Sequence, residues 1–179
     1  MTKKIYCTGK INKNETSINM DISNESIENK IKAKRVNIVS IKMVRDSSLL
    51  YTERTINTPS MAVDLLDQFI EDSDREMLLV CCLDTKNQPT CINVVSIGTL
   101  NSSLVHPREV FKPAILGNSS SIIVAHNHPS GDTSPSNEDI RITERLKEAG
   151  SIIGIELVDH LIIGRNKYTS LKEKGAVSK

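Results

Sequence analysis

The apolar positions change period along the chain, and each change marks an element. Val36–Val44 is rich in β-branched residues and predicts a strand, with Arg45–Ser48 as a turn and Leu49–Thr55 as its returning partner. Thr58 is a good helix N-cap and Pro59 suits the first helical position. Ala62, Leu65, Leu66, Phe69 and Ile70 then recur at helical spacing, an apolar stripe aimed at a core, and the polar run from Glu71 to Asp74 ends it. Strands follow at Glu76–Asp84 and Thr90–Ile97 around a turn at Thr85–Pro89. A second helix starts at Pro107 and runs toward Gly117, with a kink or break expected at Pro113. Ser121–His128 predicts a short apolar strand, and Pro129–Pro135 is too rich in Pro, Gly, Ser and Asp for anything but a loop. A helix over Pro135–Ala149, stopped by Gly150, and a closing hairpin of Ile155–Ile163 with Lys167–Leu171 complete the series. Strands and helices alternate, but hairpins interrupt the βα rhythm. The pattern predicts an α/β fold in which helices pack on a mixed sheet.

Composition narrows the class. The chain has 179 residues, 38% of them apolar and 25% charged, which suits one globular domain with some extra chain. No apolar run approaches the roughly 18 residues of a membrane span, and no apolar stretch follows the opening lysines as a secretory signal would require. Cys7, Cys81, Cys82 and Cys91 show no CxxC spacing, so reduced, mostly core-packed thiols and a cytoplasmic location are expected. The net charge of +1 is a near-cancellation. Residues 1–45 carry 10 Lys/Arg against 4 Asp/Glu, whereas residues 46–179 carry 13 against 18. A polar, basic, mobile segment over 1–35 is expected ahead of an acidic folded body over 36–179. Contact with nucleic acid would fall to the basic segment, where Lys30, Lys32, Lys34 and Arg35 cluster.

The chemistry concentrates in Ala125-His126-Asn127-His128-Pro129 and the following Ser136-Asn137-Glu138-Asp139. Residues two apart on a strand face the same side, so His126 and His128 present their imidazoles together. Asp139 falls on the same helical stripe as Ile142, Leu146 and Ala149, the face that packs inward. An inward carboxylate is costly unless something positive meets it. Two histidines and one carboxylate leave a position open on a tetrahedral zinc, the pattern of a catalytic site. Taken piece by piece, blander readings compete. Ser136-x-x-Asp139 is also a capping box, and a single histidine is more often structural.

Together these residues resemble the JAMM motif of the JAB/MPN metalloenzymes. Ser96-x-Gly98-Thr99-Leu100-Asn101, His106-Pro107-Arg108-Glu109-Val110, the histidine segment through Gly131, and Asp159-His160-Leu161 are closer still to the RadC branch, over about residues 38–175. The resemblance implies an αβα sandwich of the cytidine-deaminase-like type, with helices on both faces of the sheet. It implies zinc on His126, His128 and Asp139, Glu76 as general base toward metal-activated water, and Ser136 at the oxyanion. The activity implied is hydrolysis of a peptide or isopeptide bond in a peptide or protein substrate. From the residues alone, Glu76 is equally a solvated strand end.

Two other functions follow from the same resemblance. RadC-like proteins are associated by name with DNA repair, and relatives that lose the motif act as scaffolds. No Gly-containing hairpin module precedes the domain here, and all five motif positions are filled. Base deamination needs HxE and a downstream PCxxC, and neither is present. Asp159 and His160 are expected to form a polar pair, either structural or behind the metal. For His106-Pro107-Arg108-Glu109, helix capping and an Arg–Glu pair suffice. Adjacent Cys81 and Cys82 face opposite sides of their strand and belong to the core.

Overall fold

A computed structural model of the chain describes residues 37–70, 73–98 and 105–175. The basic segment expected over 1–35 lies outside the described residues, as does Cys7. The chain divides into units of residues 1–39 and 40–179, and every helix and strand described belongs to the second. They run in the order α1 (Pro59–Leu66), a 3-10 turn (Asp67–Phe69), β1 (Met77–Leu83), β2 (Pro89–Ile97), α2 (Pro107–Leu116), β3 (Ser121–Asn127), α3 (Asn137–Ile153), β4 (Glu156–Gly164) and β5 (Lys167–Ser170).

The five strands form one mixed sheet in the order β2-β1-β3-β4-β5. Only β3 and β4 pair in parallel, because α3 carries the chain back across the sheet between them. Strand alternation sends the two sets of side chains to opposite faces. Leu78, Val80, Cys82, Ile122 and Val124 pack with Val110, Phe111 and Ala114 of α2 and with Ile142 and Leu146 of α3. Leu79, Cys81, Leu83, Ile123 and Ala125 pack with Ala62, Leu65 and Leu66 of α1. Helices therefore cover both faces, and Cys81 and Cys82 separate as expected. Among the described residues no helix is long and apolar enough to cross a membrane.

Four expectations fail locally, each for a physical reason. The hairpin over 36–55 is absent: residues 37–50 have no regular structure, and Ile38, Val39 and Leu50 are 99%, 75% and 95% exposed. β propensity reflects packing against neighbours on a sheet, and among the described residues no strand pairs with residues 40–50. The chain joins the fold only at Tyr51, whose hydroxyl donates to the Met61 carbonyl, and at the buried Ile56. Phe69 leaves the apolar stripe because α1 tightens into a 3-10 turn after Leu66, which rotates it outward while Ile70 returns to the core.

The second helix continues through Pro113, so of the expected kink or break the break does not occur. The missing amide forfeits one bond, and the buried faces of Val110, Phe111 and Ala114 hold the helix on the sheet. Lastly, α3 passes through Gly150 and ends at Gly154, whose φ of 80° provides the left-handed cap. Gly150 serves close packing instead. A Cβ there would sit 2.5 Å from the Ile155 carbonyl oxygen and 3.1 Å from the Phe111 ring.

Candidate metal centre

The end of β3 and the start of α3 meet at one place. His126 is the penultimate residue of β3 and is fully buried on the face that α3 covers. His128 lies just beyond the strand on the same side, and its Nε2 stands 3.0 Å from the Nε2 of His126. Ser136 caps α3 and completes the capping box: its Oγ accepts from the Asp139 amide at 3.1 Å, while its own amide and hydroxyl donate to Asp139 Oδ2 at 2.7 and 2.6 Å. The cap does not compete with a ligand role for Asp139, because the carboxylate it orients faces the histidines. Asp139 Oδ1 is 3.2 Å from His126 Nε2, and Oδ2 is 3.6 Å from His128 Nε2.

Hydrogen bonding on the far side of each ring fixes which nitrogen carries a proton. His128 Nδ1 faces the Asp132 carbonyl at 2.5 Å, which can only accept, so Nδ1 is the donor and Nε2 is bare in the neutral ring. His126 Nδ1 faces His160 Nε2 at 2.9 Å, and His160 Nδ1 faces Thr143 Oγ1 at 2.6 Å. Burial is the main cause that brings His160 down to about 3, so its ring is neutral. His126 Nε2, His128 Nε2 and a buried carboxylate therefore converge on one place.

Such a cluster requires a cation or a proton at its centre. Burial by itself would raise the Asp139 pKa, but when that proton sits on His126, its hydrogen bond and charge together with the bonds from Ser136 outweigh burial and hold the carboxyl well below its ordinary value. The position of Asp139 in the first turn of α3 adds the favourable end of the helix dipole. Metal–nitrogen bonds of about 2.0–2.1 Å at tetrahedral angles separate neighbouring ligand atoms by about 3.3–3.4 Å. The two imidazole nitrogens, 3.0 Å apart, stand near that value, and Asp139 meets them with different oxygens, Oδ1 at 3.2 Å from His126 and Oδ2 at 3.6 Å from His128. Two imidazoles and a carboxylate are donor types that zinc takes.

Glu76 approaches from the sheet side. One of its carboxylate oxygens and one ring nitrogen of each histidine all lie within 4.8 Å of one another. It immediately precedes β1 and is half-buried, unlike Asp139 at 2% exposure. Its backbone is held on three sides. The Glu76 carbonyl accepts from the Gly98 amide at 2.8 Å. The Asn127 side chain accepts from the Met77 amide at 2.7 Å and donates to the Arg75 carbonyl at 3.0 Å. The residue between the two histidines thus clamps both neighbours of Glu76.

Asp159 and His160 part company. Adjacent strand residues face opposite ways, so the His160 ring goes to His126 while the Asp159 carboxylate goes to Ser170 Oγ at 2.6 Å and to the amides of His160 and Lys172 at 2.8 and 3.0 Å. Arg108 and Glu109 form an exposed pair at 3.5 Å, and His106 makes no side-chain capping bond. Three contributors escaped the sequence reading in whole or part: Asn127, Thr143 and the direct contact of His160 with His126. Thr143 had a signal, being one helical turn after Asp139 on the inward stripe. A cleft of about 310 Å³ opens beside His128, walled by Asp67, Ile70, Gly131, Ile163 and Arg165.

A mixed sheet sandwiched by helices, with an HxH strand end facing an SxxD helix start, defines a JAB-type α/β domain. Residues 56–176 match the family model described as a RadC-like JAB domain. The chain is 48% identical over 163 residues to a UPF0758 protein of Clostridium botulinum (strain Okra / Type B1), covering 86% of this chain and 72% of the relative. It is 54% identical over 126 residues to a UPF0758 protein of Desulforamulus reducens, covering 70% and 56% respectively. The chain belongs to the RadC-like JAB domain family.

Proposed function

We propose that the chain is a zinc-dependent hydrolase of the JAMM type that cleaves a peptide or isopeptide bond. The observation that carries this reading is the convergence of two bare imidazole nitrogens and a buried carboxylate beside a second, more accessible carboxylate. His126 Nε2, His128 Nε2 and Asp139 would hold the ion. Zinc supplies Lewis-acid chemistry, polarising a carbonyl and making water a nucleophile near neutral pH. The two carboxylates suit different roles. Asp139 is buried against both rings, whereas Glu76 is part-exposed and close enough to the imidazoles to reach the centre through one water. From there Glu76 accepts the proton of the attacking water and returns it to the leaving nitrogen.

Ser136 donates its one hydroxyl proton to Asp139 Oδ2 at 2.6 Å. A role at the oxyanion requires Ser136 to turn that hydroxyl proton from Asp139 to the substrate oxygen. The cleft beside His128 offers space for a substrate side chain next to the reacting centre. Free Cys81, Cys82 and Cys91 support a reducing, cytoplasmic setting. Nucleic acid is left to the basic first 45 residues. A Glu76→Gln variant tests the mechanism against a panel of linear and isopeptide-linked peptides: zinc should be retained and turnover abolished. Turnover equal to the parent's would overturn Glu76 as the base.

A further inference from the structure

We propose that Thr143 and His160 are positioning residues that lock His126 in its Nδ1–H tautomer and so keep its Nε2 bare for the metal. This rests on the metal reading above, but it concerns residues that do not themselves touch the ion.

The lock follows from counting protons along one buried chain. Thr143 Oγ1 lies 2.6 Å from the backbone carbonyl of Asp139. A carbonyl only accepts, so the single hydroxyl proton goes there. At 2.6 Å from His160 Nδ1, Thr143 Oγ1 can then only accept, and His160 must donate from Nδ1. A neutral imidazole has one N–H, which leaves His160 Nε2 bare. It accepts from His126 Nδ1 at 2.9 Å. His126 has then spent its proton on the side away from the site. His126, Thr143 and His160 are 0%, 0% and 1% exposed, so water cannot substitute for any link. The chain starts on the main chain of Asp139, the residue whose carboxylate faces the same two imidazoles. One turn of α3 thus sets the third ligand and, through His160 on β4, the proton of the first.

Without the relay the centre can satisfy itself. If His126 loses its Nδ1 acceptor, the buried ring gains by moving its proton to Nε2. From there it donates to His128 Nε2 at 3.0 Å or to Asp139 Oδ1 at 3.2 Å. Zinc would then have to displace that proton.

The test uses the full-length chain with 15N-labelled histidine, His160→Leu, His160→Gln and Thr143→Val. Long-range 15N–1H correlation on the metal-free protein at alkaline pH reads the His126 tautomer. Competition with a chelating dye reads zinc affinity. The parent should show Nδ1–H at His126. In His160→Leu the proton should move to Nε2 and zinc affinity fall about 10–100-fold, the range for losing an outer partner of a ligand. His160→Gln offers an amide oxygen to the same proton and should keep both the tautomer and most of the affinity. Should the leucine variant not fold, Thr143→Val breaks the relay one link earlier at nearly constant volume and should leave His126 with mixed tautomers and weaker zinc binding. An Nε2–H tautomer in the parent would overturn the proposal. So would a folded His160→Leu or Thr143→Val with parental tautomer and affinity. Parental Nδ1–H in a protein that binds no zinc would sink the metal reading while leaving the lock in place.

Discussion

Replacing Asn127 by leucine removes the clamp on both sides of Glu76 without touching a ring nitrogen. In the parent, the Asn127 amide takes the Met77 N–H at 2.7 Å and gives its own hydrogen to the Arg75 carbonyl at 3.0 Å. Each such bond contributes about 1 kcal/mol net, and the start of β1 is only half-buried, so water recovers part of what an orphaned backbone group would lose. The expected cost is therefore about 2 kcal/mol, a fall in Tm of roughly 4–8 °C for a domain of this size. Asn127 points to the opposite face of β3 from His126, so zinc stoichiometry should not change. Asn127→Asp sharpens the case: its carboxylate can still accept from Met77 but places an oxygen against the Arg75 carbonyl, and it should be at least as destabilised as the leucine variant. Urea unfolding followed by circular dichroism measures the first quantity, and metal analysis of the same samples measures the second. A stability loss below about 0.5 kcal/mol, or loss of zinc in the leucine variant, would refute the reasoning.

Two further outcomes separate structural from site residues. Asp159→Ala removes the acceptor of three hydrogen bonds at the β4–β5 junction and should cost about 2–4 kcal/mol with zinc binding intact; a variant as stable as the parent would contradict that role. Cys91 pairs across the sheet with Cys82, and a hydrogen bond from that thiol, opposed by burial and aided by Thr90, brings Cys91 down to about 7, while burial pushes Cys81 up to about 12. A lowered value means thiolate is present above it, so in a Cys7→Ser background iodoacetamide should modify Cys91 first, with a rate that climbs through about pH 7. A midpoint near the ordinary thiol value of about 8.5 would count against that assignment.

Much of this was readable from period and residue type. The i, i+3, i+4 spacing placed α1, and period-2 alternation placed His126 and His128 side by side. The 3.6-residue period turned Asp139 inward beside Ile142 and Leu146. What the sequence could not carry was information about partners. The apolar run after Val36 looks like a strand, but among the described residues no strand forms over 40–50. Gly150 and Gly154 are the same residue type, yet one admits the Phe111 ring and the other turns the chain left-handed. His160, Thr143 and Asn127 enter the site only through the β3–β4 register and the seating of α3, which link residues 17 to 52 positions apart. Local patterns reveal the ligands; long-range register reveals what holds them.

Metal content tests the central claim most directly. The purified chain, loaded with zinc and freed of excess, should hold about one equivalent. The His126→Ala, His128→Ala double variant should hold none while remaining folded. A parent protein without bound metal after loading, or a double variant that keeps it, would contradict the account.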